Sequence, residues 1–515
     1  MRSIGKFGVI AAIAAMLVSP ALAQKAKDTL RIAVHQPIST IDGIFDPSPQ
    51  TSLTSRMVLD YLINFDPRTK TYVPGLAESW TRIDDRTIEL RLRKGIKFHN
   101  GQDFDADDVV YTFNYILDPK TVFRFKSSSY GYYDKIEKID QFTVRISSKD
   151  KFAPLVARLT TSMPIFPHKH HSQLKDKAAF GRAPIGTGPY KASPVDPVRG
   201  VVLELNPDYK HGNAGRPAGK IKRIVVRPIT DEQTRVAQLM VGELDLTYDV
   251  QPDVAENLRT NPILEVTNRP TNAFAYIMLD VPGRSGQNYF KDKRVREAVL
   301  RAIDRKALVN ALQTKEIAEM PLQTAMCHPW NIGCTWSLEP PSHDLEAAKK
   351  LMTEAGYPNG FNLSIGTWGP SRPVTEAVAG QLRRIGIRVS VDAMALPAFV
   401  KKRGAGELTA IVALWDNGVG APDVESTAGF FYSGGDRDYN GDKELIELYR
   451  AGQQEFDEKK RAETYRKLFD KVTAERYSMP LIPLAASVVH SKDVKMPPPG
   501  SSYTEGFTLN LLEWK

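Results

Sequence analysis

Two tryptophans and an arginine in the second half of the chain have the types and spacing to hold a small carboxylate-bearing molecule. Trp368 lies in Thr-Trp-Gly-Pro-Ser-Arg-Pro (367–373), between a strand end and a helix start. Trp415 follows the apolar run 411–414 and opens Trp-Asp-Asn-Gly (415–418). Large aromatics just past strand ends suit the apolar walls of a ligand cleft. Arg372 offers a planar fork of donors that matches a carboxylate. The same spacing also fits two core tryptophans and an exposed cation at a helix start. Thr40 is a further candidate contact, in a loop (35–50) rich in Pro, Ser, Thr and Asp that leaves a strand end. Loops in that position commonly carry ligand contacts.

Reaction chemistry is not signalled. The chain has no His-Glu-x-x-His, no Gly-x-Ser-x-Gly, no Walker-type phosphate loop and no Gly-x-Gly-x-x-Gly. Gly186-Thr187-Gly188 is followed by Pro189, which lacks the N–H a phosphate cradle uses, so a turn is expected there. Asp84-Asp85 and Asp107-Asp108 fit a turn and a helix start. A glycosidase needs two carboxylates about 5–10 Å apart in a cleft, and no pair is singled out. His168, His170 and His171, beside Pro164 and Pro167, read as an exposed loop rather than a ligand set. The expectation is a protein with no catalytic residues, no cofactor and no metal.

At 515 residues the chain is too long for one core, and two or three domains are expected. Apolar residues at 42% and charged residues at 25% exclude a largely disordered chain. A mean hydropathy of -0.32 excludes a polytopic membrane protein. Arg2 and Lys6 precede an apolar stretch, 9–18, then Ser19-Pro20 and Ala21-Leu22-Ala23, the small-x-small pattern of a signal-peptidase site. The stretch is short for a membrane span, which needs about 20 residues. Residues 1–23 are therefore read as a cleaved secretory signal. Residue 24 is Gln, not the Cys a lipoprotein would carry. The mature chain keeps 67 basic and 60 acidic residues, a charge of +7, scattered along the sequence. Export argues against nucleic acid as the partner of that charge. In an oxidising compartment Cys327 and Cys334, seven apart with Pro329 and Gly333 between, most simply form a local disulfide. The alternative, a metal site using Cys327, His328 and Cys334, lacks a fourth ligand.

Several elements must position these residues. Residues 30–34 alternate as a strand. Residues 88–93 and 96–98 alternate about Lys94-Gly95, which predicts a hairpin. Asp105 opens a helix with its apolar stripe at Val109, Phe113, Ile116 and Leu117. Thr230 and Gln233 form a capping-box pair. Helices are expected over 295–312, 345–355 and 462–472. The clearest unit is strand 361–365, helix 374–385 stopped by Gly386, and strand 387–391, a right-handed β-α-β crossover. Phe507, Leu509 and Leu511 alternate as a closing strand. The mixture gives an α/β class with antiparallel excursions.

Taken together, these segments resemble the exported solute-binding proteins of ABC importers for peptides, nickel and related solutes, family 5. Leu-Ala-Glu-Ser-Trp (76–80), Leu-Arg-Lys-Gly-Ile-Lys-Phe (92–98), Asn100-Gly101 and Ala-Asp-Asp-Val-Val-Tyr (106–111) are similar to the family's signature. So are Gly-Thr-Gly-Pro-Tyr (186–190), Asp-Lys-Arg-Val-Arg-Glu-Ala (292–298) and Ala-Gly-Tyr-Pro (355–358). The resemblance implies a two-lobed periplasmic-binding-protein fold (type II, cluster C) with an extra subdomain in lobe one. Lobe one maps to 24–54, 186–279 and 486–515, the insert to 55–185, and lobe two to 280–485. It also implies a monomer in the periplasm that closes on a solute by hinge motion and is recognised by inner-membrane permease subunits.

At residue level, Ser371-Arg372-Pro373 is similar to the dipeptide branch's carboxylate holder. That branch places an amine-holding aspartate three positions after the cleft tryptophan. Here that position is Gly418, although Pro422-Asp423 matches. Asp416 or Asp423 can take the amine's place, or the solute can be a carboxylate without a free α-amine. The competing functions are an exported hydrolase in the same cleft and a chaperone-like interaction protein.

Overall fold

A computed structural model describes residues 28–46, 48–123, 126, 130–213, 215–416, 422–498 and 507–515. The expected signal, 1–23, and Gly418 lie outside the described residues.

Two long antiparallel strands, Leu264–Leu279 and Ser478–Ser491, run through a ten-stranded sheet. On one side follow Leu246–Thr247, Thr29–Val34, Arg223–Pro228, Val201–Leu205 and Tyr190–Ala192. On the other follow Ala410–Trp415, Asn362–Trp368 and Arg388–Met394. Each half contains a parallel trio. Thr29–Val34 pairs parallel with both its neighbours, and Asn362–Trp368 does the same. The result is a two-lobed α/β molecule whose lobes share a continuous ladder.

The alternation of side chains explains why both faces are covered. Leu30, Ile32 and Val34 enter one core while Ala33 enters another on the opposite face. In lobe two, Ala275, Ile277 and Leu279 enter one core, and Phe274, Tyr276 and Met278 enter its counterpart. Successive strand residues point to opposite faces. A sheet buried on both sides therefore needs an unbroken apolar run, as residues 274–279 supply. Where the first long strand passes between lobes its register shifts, between Pro270 and Phe274. Pro270 cannot donate to the ladder. The Thr271 hydroxyl fills in, donating to Leu484 O at 3.0 Å and accepting from Ala273 N at 3.2 Å.

A second sheet of four antiparallel strands, in the order Ala77–Arg82, Thr87–Leu92, Thr143–Ser148 and Tyr133–Asp140, forms the inserted subdomain. The helix Ala106–Leu117 packs against it and shares its core. Its start is a full capping box: Asp107 N donates to Asp105 Oδ1 at 2.9 Å and Asp105 N to Asp108 Oδ2 at 3.0 Å.

The β-α-β unit forms as expected, with Asn362–Trp368 and Arg388–Met394 parallel and Gly386 at φ 84°, a left-handed stop that favours glycine. Other expectations are corrected. Thr87–Leu92 has both edges taken by 77–82 and 143–148, so residues 96–104 fold as a separate loop instead of a hairpin arm. The helix expected over 295–312 is two, Lys293–Ala302 and Arg305–Leu312. Asp304 caps the second by accepting from Ala307 N at 2.9 Å. The cap of Glu232–Met240 is Asp231, bonded to Thr234 N, rather than Thr230. The closing strand is a 3-10 turn, Leu509–Leu511, and a two-residue strand, Glu513–Trp514. His171 is not exposed. It is buried among Tyr115, Phe166 and Phe180 and bonds Tyr111 at 2.6 Å, with burial lowering its pKa to about 4.

Candidate functional site between the lobes

The two tryptophans end neighbouring strands. Asn362–Trp368 and Ala410–Trp415 are parallel partners, so Trp368 and Trp415 reach the same carboxyl-terminal edge, and both pack half-buried against one core. That edge is where open α/β sheets hold ligands. Trp415 also pairs with Phe274, which pairs in turn with Pro483. It therefore stands at the irregular step where the first long strand passes between lobes. Its ring lies 4.1 Å from that of Phe430, and its Nε1 donates to Thr427 Oγ1 at 3.1 Å. Those contacts fix the plane of the indole.

The expected anchor follows Trp368 within one turn. Ser371 precedes the helix Arg372–Leu382. Its hydroxyl is buried without a partner, beside a Thr375–Thr367 hydroxyl bond of 2.9 Å. The Arg372 guanidinium is 62% exposed and bonds Glu376 at 2.7 Å, one helical turn on. An exposed pair of this kind is worth well under about 1 kcal/mol, so a ligand carboxylate can displace Glu376 at little cost.

The two aspartates differ. Asp416 is exposed at the strand end. Asp423 is 1% exposed. Its oxygens bond the Arg461 guanidinium, and Oδ1 also accepts from Glu425 N at 2.8 Å. Its carboxylate is consumed inside lobe two. Thr40 follows the strand Thr29–Val34 and is not brought against the tryptophans by any described bond. Its hydroxyl accepts from Asp42 N at 3.1 Å, and its carbonyl accepts from the Thr51 hydroxyl at 3.0 Å. A Cβ on Gly181 would fall 1.9 Å from Thr40 Oγ1, so only glycine permits that packing. Asp42 next to it is buried, and burial pushes its pKa up to about 7 against the pull of the Ile44 and Phe45 amides.

Cys327 and Cys334 are bonded to one another, which removes the metal reading of that pair. Their loop is stitched to the segment leaving the cleft: Ile332 N donates to Pro422 O at 3.0 Å, and Val424 N to Ile332 O at 2.9 Å. His328 in the loop is half-buried beside Thr271 of the crossing strand. Burial and Lys70 lower its pKa to about 4. Asp105, Asp108 and His168 could geometrically surround an ion. However, Asp108 already accepts from Asp105 N, His168 N and the His168 ring, and that closure fastens the helix start to the next turn.

Sequence reasoning missed Asn272. It is fully buried in the crossing strand, and neither its amide nitrogen nor its oxygen has a partner. A buried amide without a protein partner is costly. Its place between Pro270 and the apolar run was the available signal. Also missed was a buried charge pair between the helices Leu155–Arg158 and Glu425–Tyr432, Arg158 with Glu425, which no local pattern announces.

A continuous sheet through two lobes, with an insert over one of them, is the architecture of a two-lobed binding protein. Comparison with known proteins agrees. A profile of the bacterial extracellular solute-binding proteins, family 5 (middle), matches residues 71–438. The glutathione-binding protein GsiB of Salmonella paratyphi A is 31% identical over 396 residues, covering 75% of this chain and 72% of that one. The di/tripeptide-binding protein 2 of Pseudomonas aeruginosa is 28% identical over 483 residues, covering 86% and 87%. The periplasmic binding protein DppA of Helicobacter pylori, solved with the peptide STSA, superposes with a TM-score of 0.78 at 23% identity over 94% of this chain and 98% of that one. The chain belongs to the bacterial extracellular solute-binding proteins, family 5, and its work is solute capture for an ABC importer.

Proposed function

We propose that the mature chain, exported by cleavage after residue 23, captures a peptide or related carboxylate-bearing solute in the periplasm. Closure of lobe two (280–485) on lobe one (24–54, 186–279, 486–515) and its insert (55–185) would bury the solute, and the closed form would be read by permease subunits in the inner membrane. One observation carries the ligand class. At the cleft edge a partnerless Ser371 hydroxyl and the weakly held Arg372 guanidinium stand together at a helix start, beside two aromatic walls. Such a helix end favours an anion, and the fork of Arg372 suits a carboxylate. Related proteins named for glutathione and for di- and tripeptides support the same class of solute. Trp368 and Trp415 would flank the side chains. Asn272 would bond the solute backbone, with Asp416 and Thr40 at the margins of the site and Asp423 acting as a brace beneath it.

The reading assigns binding without turnover, by a monomer. Native mass spectrometry of the mature protein tests it by revealing a co-purified solute. Calorimetry with glutathione and the dipeptide Met-Leu follows. Arg372→Ala should weaken a bound carboxylate by about 1.5–3 kcal/mol, the size of a hydrogen bond to a charged group. Unchanged affinity would remove Arg372 from the site, and hydrolysis of the probe would replace the binding reading with an enzymatic one.

A further inference from the structure

We propose that Arg158 and Glu425 form a latch that holds the insert shut against lobe two and sets the resting balance between open and closed forms. This rests on the hinge-closing reading above. The two side chains come from opposite jaws. Arg158 ends the short helix Leu155–Arg158 of the insert, and Glu425 starts the helix Glu425–Tyr432 of lobe two. Their charged groups meet with 7% and 4% of their side-chain surface exposed.

Around them the two surfaces are matched. Ala153 N donates to Gln453 O at 2.7 Å, a backbone bond between jaws. The Arg82 guanidinium lies 4.2 Å and the Lys151 ammonium 5.2 Å from the ring centre of Phe456. Arg158 itself faces the ring of Tyr132 at 5.3 Å.

The chemistry fits a reversible catch better than a permanent weld. Burying two charges costs several kcal/mol each, and that cost is offset only if the remaining hydrogen-bonding positions are filled. Glu425 has that support within its own jaw: Oε1 accepts from Tyr449 OH at 3.0 Å and from Gln453 Nε2 at 2.9 Å. Oε2 is left for Arg158. The carboxylate is therefore held in place whether or not the other jaw is present. Two residues along the same helix, Thr427 accepts from the Trp415 indole. A catch on this helix thus also holds the frame of the cleft tryptophan, and Arg158 and Glu425 act as positioning residues for capture.

The test uses the mature chain with its disulfide intact, spin-labelled through Asp134→Cys and Lys459→Cys, both exposed and on opposite jaws. Without ligand, Arg158→Ala and Glu425→Gln should each move the distance distribution to longer separations. The two changes together should do no more than either alone. Glu425→Gln keeps shape and hydrogen bonding, so it remains interpretable if Arg158→Ala folds poorly. Affinity for Met-Leu and glutathione should fall about tenfold, or 1.4 kcal/mol. Identical ligand-free distributions in wild type and variants, with only a lower melting temperature, would overturn the latch. If wild type binds neither probe, the assigned solute class fails, while the ligand-free distances still decide the latch.

Discussion

Asp60 gathers three partners from a distant stretch of the chain, Thr187, His211 and Arg216. It accepts from His211 Nε2 at 2.9 Å and Thr187 Oγ1 at 3.0 Å, and it pairs with Arg216 at 2.5 Å. Burial alone would raise its pKa, but Arg216 and His211 outweigh that and hold the carboxyl below the ordinary range. Asp60→Ala leaves the Arg216 charge buried and uncompensated, so a loss of about 3–5 kcal/mol is expected in denaturant unfolding. A change under about 1 kcal/mol would mean that water replaces the carboxylate. Asp42 gives a pH-dependent counterpart. Its folded pKa of about 7 lies above its ordinary 3.8, so the folded protein keeps a proton that the unfolded chain releases between those values. That contribution to stability is complete below about pH 4 and is lost as pH rises toward 7. Asp42→Asn should therefore gain melting temperature relative to wild type between pH 5 and pH 8; parallel profiles would refute this. Neither aspartate's role was legible in the sequence. The partners of Asp60 lie 127 and 151 residues away, whereas the Ser371-Arg372-Pro373 junction is contiguous and could be read directly.

At the scale of elements, local chemistry was legible where a segment decides its own structure. The Asp105 cap, the Gly386 stop and the β-α-β alternation depend on neighbours within a few residues, and all three form. Alternation reveals a strand but not its partner, which is why 88–98 misled. Apolar spacing ran on through Ile303-Asp304 because a buried bend keeps the same stripe while Asp304 restarts the helix. The Cys327–Cys334 bridge is likewise local. Its loop is held by Pro422, Val424 and Lys70, so reduction should loosen a segment already fastened by hydrogen bonds. A chain-entropy loss of about 2.5 kcal/mol is expected, seen as a lower melting temperature with reductant while solute binding survives. Two free thiols in protein purified without reductant would contradict the bridge.

For the molecule as a whole, the lobes share one ladder instead of joining through loops, and hinge bending is expected at the irregular step at 270–274 and its partner strand. One helix-lined core covers each face of the strand run 274–279, while the core around Thr29–Val34 is shared with the four-stranded sheet 77–148. Hinge bending should then move insert and lobe one together. Small-angle scattering should show one compaction when solute is added; separate movement of the insert would appear as a second, solute-independent change.

The two crossing strands have one more consequence. Met278 pairs with Ser478, and Leu279 N donates to Tyr477 O at 3.3 Å, so residues 280–477 leave and return at adjacent backbone positions. That stretch is a closed excursion with its ends already stapled. Exchanged as a cassette between related receptors, it would replace most of the candidate contacts, Trp368, Ser371, Arg372 and Trp415 among them, and leave the rest of the chain path unbroken. Replaced by a tight turn, it should leave a remainder that still melts cooperatively by circular dichroism.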